Sequence, residues 1–162
     1  MYTIRKANLA DLDSIVVLWK GLMAHHRSLA KKKTAERDMV ELAPDAERRW
    51  RLWARKNMRS RNGLLLVAEE DGKIIGYSLN NIKSNVRLFK VKKYGYLSDI
   101  FVAKTHRKRG IGNAFLKAAL GWFRKKRMRY AAIAYRACNR QAGQVYSKWG
   151  FHDNHVELVR RL

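Results

Sequence analysis

One stretch of the chain carries the residue types that bind phosphate. A β-rich run ends at Val102, a basic turn covers 105–109, and Gly110-Ile111-Gly112 then opens a segment with apolar residues at helical spacing. The first N–H groups of a helix have no partner within it, and glycines let the backbone approach an anion without interference from a Cβ atom. The stretch therefore predicts a phosphate-binding turn. A glycine-containing helix entry in a basic protein is the alternative.

A second stretch offers a proton donor. Asn139 precedes a segment with helical spacing that carries Tyr146 and ends at Gly150-Phe151. A tyrosine hydroxyl is able to donate a proton as negative charge develops on a leaving group. A packed aromatic side chain is the alternative for Tyr146.

Composition places both stretches in one basic domain. The chain has 162 residues, 47% of them apolar, which is enough for one core, so residues 1–162 are predicted to form a single domain. Lysine and arginine number 36 against 13 acidic residues, and the formal charge is +23. A field of this sign attracts nucleic acid, acidic membrane surfaces and phosphorylated cofactors alike.

The sequence argues against several classes of protein. No apolar run approaches a membrane span and no apolar signal segment follows Met1, so we expect a soluble, cytoplasmic protein with no membrane partner. Cys138 is the only cysteine, which excludes an intrachain disulfide. His152 and His155 stand three apart in an extended segment and would point to opposite faces, so no metal site is predicted.

Hydrophobic spacing predicts alternating strands and helices. The predicted strands are 2–6, 64–69, 73–79, 94–102, 130–135 and 156–159, with Asp71-Gly72 as a hairpin turn. The predicted helices begin at Asp11, at Pro44 and after Gly110, and a last one covers 141–149. Residues 25–43 have weak periodicity and are predicted to be a loop.

Together the two motifs resemble the GNAT superfamily of N-acetyltransferases. Its central motif, Arg/Gln-x-x-Gly-x-Gly/Ala after a strand, is matched by 107–112, and its second signature by Asn139, Tyr146 and Gly150-Phe151. The resemblance spans nearly the whole chain, more loosely at 25–60. It implies an α/β (α+β) fold with a mixed, mostly antiparallel central sheet flanked by helices. The strands before residue 103 and after residue 128 would splay into a V-shaped cleft.

The same resemblance implies acetyl-CoA (coenzyme A) as the cofactor. Main-chain groups at the end of the strand would bind pantetheine, with the Asn139 side chain nearby, and backbone amides of the turn would bind the pyrophosphate. The implied cofactor-binding residues are Ile100, Phe101, Val102, Arg107, Lys108, Arg109, Gly110, Ile111, Gly112, Asn113 and Asn139.

Acetyl transfer to an amine needs a proton acceptor and a proton donor, because a lysine-type amine with a pKa of about 10.4 is protonated at neutral pH. By the resemblance, Tyr146 is the donor to the departing thiolate. Ser98 stands where some members have a carboxylate, and Asp99 beside it would face the acceptor only if the strand bulges. The alternative is a water chain that ends at backbone carbonyls, at Tyr94 or at Tyr96 and carries the proton to solvent.

The acceptor is left open among a protein N-terminus, a lysine side chain and a small amine, and a homodimer is also left open. The positive charge favours amines in neutral or acidic surroundings over polyamines, unless acidic residues reverse the local sign; the candidates are Glu36, Asp38, Glu41 and Asp99. The rival hypothesis is a basic module that binds nucleic acid or ribosomes and keeps this fold without catalysis. Its basic surface would hold an acidic or nucleic-acid partner.

Overall fold

The computed structural model describes residues 1–31 and 34–162. Its strands are β1 (Thr3–Lys6), β2 (Gly63–Glu70), β3 (Lys73–Ser84), β4 (Lys93–Val102) and β5 (Ala131–Ile133). Its helices are α1 (Leu12–Leu29), α2 (Ala35–Asp38), α3 (Ala46–Arg59), α4 (Ile111–Lys125) and α5 (Arg140–Lys148). Short 3-10 helices at Leu9–Asp11 and Lys104–His106 precede α1 and α4.

The five strands form one sheet in the order β1-β2-β3-β4-β5. The first four strands pair antiparallel. The chain then passes through α4 to β5, which lies parallel to β4. Asp71 and Gly72 form the turn between β2 and β3 with φ of 49° and 73°, the positive φ values that a tight hairpin turn requires. The predicted mixed, mostly antiparallel α/β fold is confirmed.

Helices cover both faces of this sheet. Because side chains alternate along a strand, neighbouring residues of β2 enter different cores. One core joins α1 and α3 to the sheet through Ile15, Trp19, Trp50, Leu65 and Val67. The other joins α4 to the opposite face through Leu64, Leu66, Ile111 and Phe115. The ends of β4 and β5 are thus held on a sheet that is fixed between two helical layers.

The predicted loop over residues 25–43 is wrong in part. α1 continues to Leu29, because Leu22, His26 and Ala30 follow one another at four-residue spacing and extend its inner stripe. Leu22 and Ala30 are both buried. A further turn of helix, α2, begins after Thr34, whose hydroxyl accepts a hydrogen bond from the Arg37 amide. Lys32 and Lys33, which belonged to this prediction, lie outside the described residues.

The strand predicted at 156–159 is also wrong. Residues 152–162 have no regular secondary structure, and Val156 and Leu158 are highly exposed. β5 has only three residues and offers a short edge, while Arg161 makes an ion pair with Asp38 of α2 that draws the terminal segment elsewhere. Across the described ranges, no helix has both the length and the apolar composition that crossing a bilayer requires.

Candidate active site

The turn before α4 presents unused backbone donors. Lys108 and Gly110 both have left-handed φ, 61° and 81°, and glycine adopts that conformation without strain. Gly110 is the N-cap of α4 and supplies no side-chain cap. The amides of residues 108–110 donate to no carbonyl in the described chain, and the first helical amides lack partners by geometry. A concavity of N–H groups at a positive dipole end is suited to an anion.

The arginine side chains of this turn are engaged with the protein. Arg109 donates two hydrogen bonds to the Glu70 carboxylate, at 2.8 and 2.6 Å. Hydrogen bonding by Arg109 lowers the pKa of Glu70 to about 2. Arg107 Nε donates to the Val102 carbonyl at 3.0 Å, and its guanidinium lies 5.4 Å from the Phe101 ring centroid. The backbone of the turn is therefore freer to meet an anion than these two guanidinium groups are.

A cleft opens where β4 and β5 separate. They pair only between residues 95–97 and 131–133, so the rest of β4 has no partner on that side within the described residues. The Ala103 amide donates to the Ile75 carbonyl of β3. Since main-chain groups alternate in direction along a strand, those of Phe101 also face β3, while those of Ile100 and Val102 face the open side. Two of the three predicted strand positions thus line the cleft with main-chain groups.

Helix α5 forms the far side of this cleft and is only half covered. It is amphipathic, yet none of its residues is buried. Tyr146 stacks on Trp149 with ring centroids 5.4 Å apart, and Trp149 Nε1 donates to Asn113 Oδ1 of α4 at 2.5 Å. The structure thereby brings the two sequence motifs together. Asn139 caps α5, because its Oδ1 accepts from the Ala142 amide at 3.1 Å, a role that the sequence interpretation missed.

One extra residue in β4 determines where Asp99 points. Leu79 of β3 is opposite Asp99 and Asn80 is opposite Leu97, so Ser98 is the additional residue of a β-bulge. Leu97 packs toward α4, whereas Asp99 contacts Tyr77 in the core beneath α1 and α3. Without the bulge, residues 97 and 99 would share a face. The bulge that sequence analysis made the condition for Asp99 is present.

The Asp99 carboxyl is buried, so its charged form is poorly solvated. Tyr77 Oη donates to its Oδ2 at 3.1 Å. Burial raises the pKa of Asp99, and Tyr77 and the nearby Trp50 indole offset part of that rise. The Trp50 Nε1 is itself buried without a hydrogen-bond partner among the described residues. Sequence analysis missed both neighbours, because their aromatic side chains match ordinary core positions.

Tyr146 remains protonated at neutral pH. Burial first, and then the neighbouring Asp99 and Tyr96, raise the pKa of Tyr146 to about 12. The hydroxyl of α5 therefore lies within the electrostatic reach of two β4 residues on the far side of the cleft.

The end of α1 borders the same region. Burial lowers the pKa of His25 and of His26, with further lowering by Arg107 for the first and by Arg136 and His25 for the second. The end of α1 therefore lies near both the basic turn, through Arg107, and the segment after β5, through Arg136. Both imidazoles are neutral at pH 7, and the cationic groups around them give the cleft mouth a positive field.

Comparison with known proteins agrees with this architecture. Residues 25–151 match the acetyltransferase (GNAT) family. An uncharacterized N-acetyltransferase of Methanocaldococcus jannaschii is 26% identical over 99% of this chain and 67% of its own. The aminoglycoside N-acetyltransferase AAC(6')-Iy in complex with CoA has a TM-score of 0.76 at 21% identity, covering 100% of this chain and 95% of that one. A predicted acetyltransferase from Clostridium acetobutylicum with acetyl-CoA has a TM-score of 0.77 at 18% identity, covering 99% and 96%.

The chain belongs to the GNAT family of acetyltransferases. The predictions of family, enzyme class and acetyl-CoA as cofactor are thereby confirmed. The roles of individual residues and the identity of the acceptor amine stay predictions.

Replacement of Asp99 by asparagine tests its environment without an activity assay. A raised folded-state pKa means that the stability contributed by this group is greatest below its usual 3.8 and falls as pH rises through the raised value. Asparagine keeps an acceptor for Tyr77 and removes the charge. We expect Asp99→Asn to gain stability relative to wild type as pH rises above about 4, measured by urea unfolding. The exposed Asp153→Asn is the control, and a pH-independent difference for Asp99→Asn would contradict the assignment.

Proposed function

We propose that this chain transfers the acetyl group of acetyl-CoA directly to a primary amine, with the acceptor bound at the bulge of β4. The observation that carries the proposal is the cleft itself. An open β4 edge, an uncapped α4 N-terminus and a half-covered α5 surround one space. Such a space is suited to a long, thin ligand that ends in phosphates.

The residues fit the cofactor in chemical type. Backbone amides of 108–113 would hold the pyrophosphate, and the outward main-chain groups of Ile100 with the Val102 amide would hold the amide-rich pantetheine arm, since the Val102 carbonyl already accepts from Arg107. Gly112 leaves room for this approach, since a Cβ atom there would meet the protein only at the Trp149 ring, 3.5 Å away. When bound, acetyl-CoA supplies an activated acetyl thioester.

One side chain would accept a proton during the reaction and another would donate one. The Asp99 carboxylate would accept the proton that the acceptor ammonium must lose, directly or through water. The C–N bond forms as the C–S bond breaks, and the Tyr146 hydroxyl would donate a proton to the departing thiolate. With its pKa at about 12, Tyr146 holds that proton across the whole working range. No covalent enzyme intermediate is required, so Cys138 has no part.

The acceptor is proposed to be an amine in neutral or acidic surroundings. Two of the four carboxylates that could make the pocket negative are paired: Asp38 binds Arg161, and Glu41 lies 3.5 Å from Arg27 and 3.8 Å from Arg37. The field of the +23 chain therefore survives at this edge and disfavours polycations.

Specificity constants for spermidine and for a peptide with acidic residues after its N-terminal amine test this acceptor class. We expect the peptide to be favoured at low salt, and the preference to shrink as salt screens the field. A preference for spermidine at low salt would show that a local negative pocket dominates instead.

Gly112→Ala tests the phosphate turn. The added methyl meets the protein only in ordinary contact, so the variant folds, but it stands where backbone must approach phosphate. We expect acetyl-CoA affinity to fall about ten- to a hundredfold, the effect of weakening a charged hydrogen bond. Gly121→Ala on the same helix, where a Cβ meets nothing within 4 Å, is the matched control. Equal affinities for both variants by titration calorimetry would refute the assignment.

Tyr146→Phe tests the proton donor. The change keeps the stack on Trp149 and removes only the hydroxyl, so turnover should fall roughly ten- to a thousandfold while acetyl-CoA affinity stays close to that of wild type. Steady-state kinetics and calorimetry separate the two effects. Wild-type turnover would exclude the role, and a parallel loss of affinity would make Tyr146 a binding residue.

A further inference from the structure

The proposed reaction involves few of the 36 basic residues of the chain. One helix carries a dense group of the others, because the outward face of α3 is lined by exposed side chains from its first turn to its last. They are Arg48, Arg49, Leu52, Trp53, Arg55, Lys56 and Arg59. The inward face of α3 packs in the core, where Trp50 and Ala54 are buried. The outer face is therefore a solvent-exposed surface on the far side of α3 from the sheet.

Ion pairing divides this face into two halves. In the first half, Asp45 binds Arg48 and Arg49 at 3.0 and 2.8 Å, while Arg51 binds Glu47 and Asp13. The second half differs, and the basic residues in it have no carboxylate within ion-pair distance in residues 1–31 and 34–162. These residues are Arg55, Lys56 and Arg59. Three adjacent cations thus lack a counter-ion on one side of one helix.

Apolar groups stand among these cations. Leu52 is 54% exposed and Trp53 is 41% exposed, although both would be expected to seek burial. Trp53 is three residues before Lys56 and four after Arg49, so its ring lies beside basic side chains on the helix surface. Two shallow grooves meet at Leu52 and Arg55 and together run along the helix to Ser60; Leu52 lines both, whereas Trp53 lines neither.

We propose that this face of α3 binds a single-stranded polynucleotide. Arg55, Lys56 and Arg59 would contact successive phosphates, and Trp53 would offer its ring to a base. Proteins hold single strands without reading sequence by combining basic grooves with aromatic rings on which bases stack, and here the Trp53 ring would serve from beside the grooves. This proposal does not depend on acetyl transfer.

The composition of the face separates this ligand from other anionic partners. A helix that lies in a membrane surface presents a continuous apolar face to the lipid, but the apolar face of α3 is already packed in the core. An acidic peptide would satisfy the cations and leave the Trp53 ring unused. A nucleic acid strand uses both, since every base has a face that stacks.

The test is binding of a fluorescently labelled oligouridylate, followed by anisotropy as salt is varied. Arg55→Gln/Lys56→Gln/Arg59→Gln should weaken binding and lower the slope of log affinity against log salt by about 2, since each phosphate contact on a single strand contributes about 0.7. Trp53→Leu should weaken binding about five- to a hundredfold with an unchanged slope. Binding of oligothymidylate, measured in the same way, shows whether the face distinguishes RNA from DNA. Binding of a duplex shows whether it requires a single strand.

The matched control removes the same three charges elsewhere, with Arg124→Gln/Lys125→Gln/Lys126→Gln at the exposed end of α4. We expect it to retain the wild-type slope to within about 1. Equal losses in both triple variants would show diffuse attraction to the whole basic surface and overturn the proposal, as would tighter binding to anionic vesicles than to RNA. Each variant is also titrated with acetyl-CoA, whose affinity should not change, so this test fails or succeeds apart from the proposed reaction.

Discussion

The insertion of Ser98 into β4 is the constraint on which the candidate site depends. A regular strand would send Asp99 toward the same side as Leu97, into the core under α4. The bulge turns Asp99 to the other face, where it meets Tyr77, and it lies at the point where β4 stops pairing with β5. A β-bulge bends its strand and raises local twist. The same irregularity therefore accounts for a redirected carboxyl and for the opening of a cleft beside it.

The cleft is built from groups that the fold leaves incomplete. Among residues 1–31 and 34–162, backbone donors at the start of α4 have no acceptors, one edge of β4 has no partner strand over most of its length, and the amphipathic α5 has no buried residue. In the open cleft the backbone groups are left to water, whereas the exposed apolar surface of α5 costs free energy. A ligand with phosphates at one end and amides along its length would pair with the backbone groups and cover part of α5. Binding of such a ligand is expected to stabilise the folded chain by mass action.

Sequence reasoning reached the backbone of this site more easily than its side-chain environment. The turn at Gly110 and the hairpin at Asp71-Gly72 were predictable, because local φ requirements select residue types that are visible in the sequence. The bulge at Ser98 has no local signature, since it reflects register against β3. The neighbours of Asp99 were missed because they are ordinary core aromatics until the fold brings them to a carboxyl. The terminal strand was overpredicted because alternation at 156–159 indicates a strand only where a long enough edge is available.

Hydrogen–deuterium exchange of the protein with and without acetyl-CoA tests the central claim most directly, since it reads the backbone groups that the cleft leaves unpaired. The account predicts slower exchange with ligand at amides 108–113 and along residues 98–102 of β4, together with slower exchange in α5. The outer face of α3 should be unchanged. Protection confined to other segments, or none at saturating ligand, would contradict the proposed site.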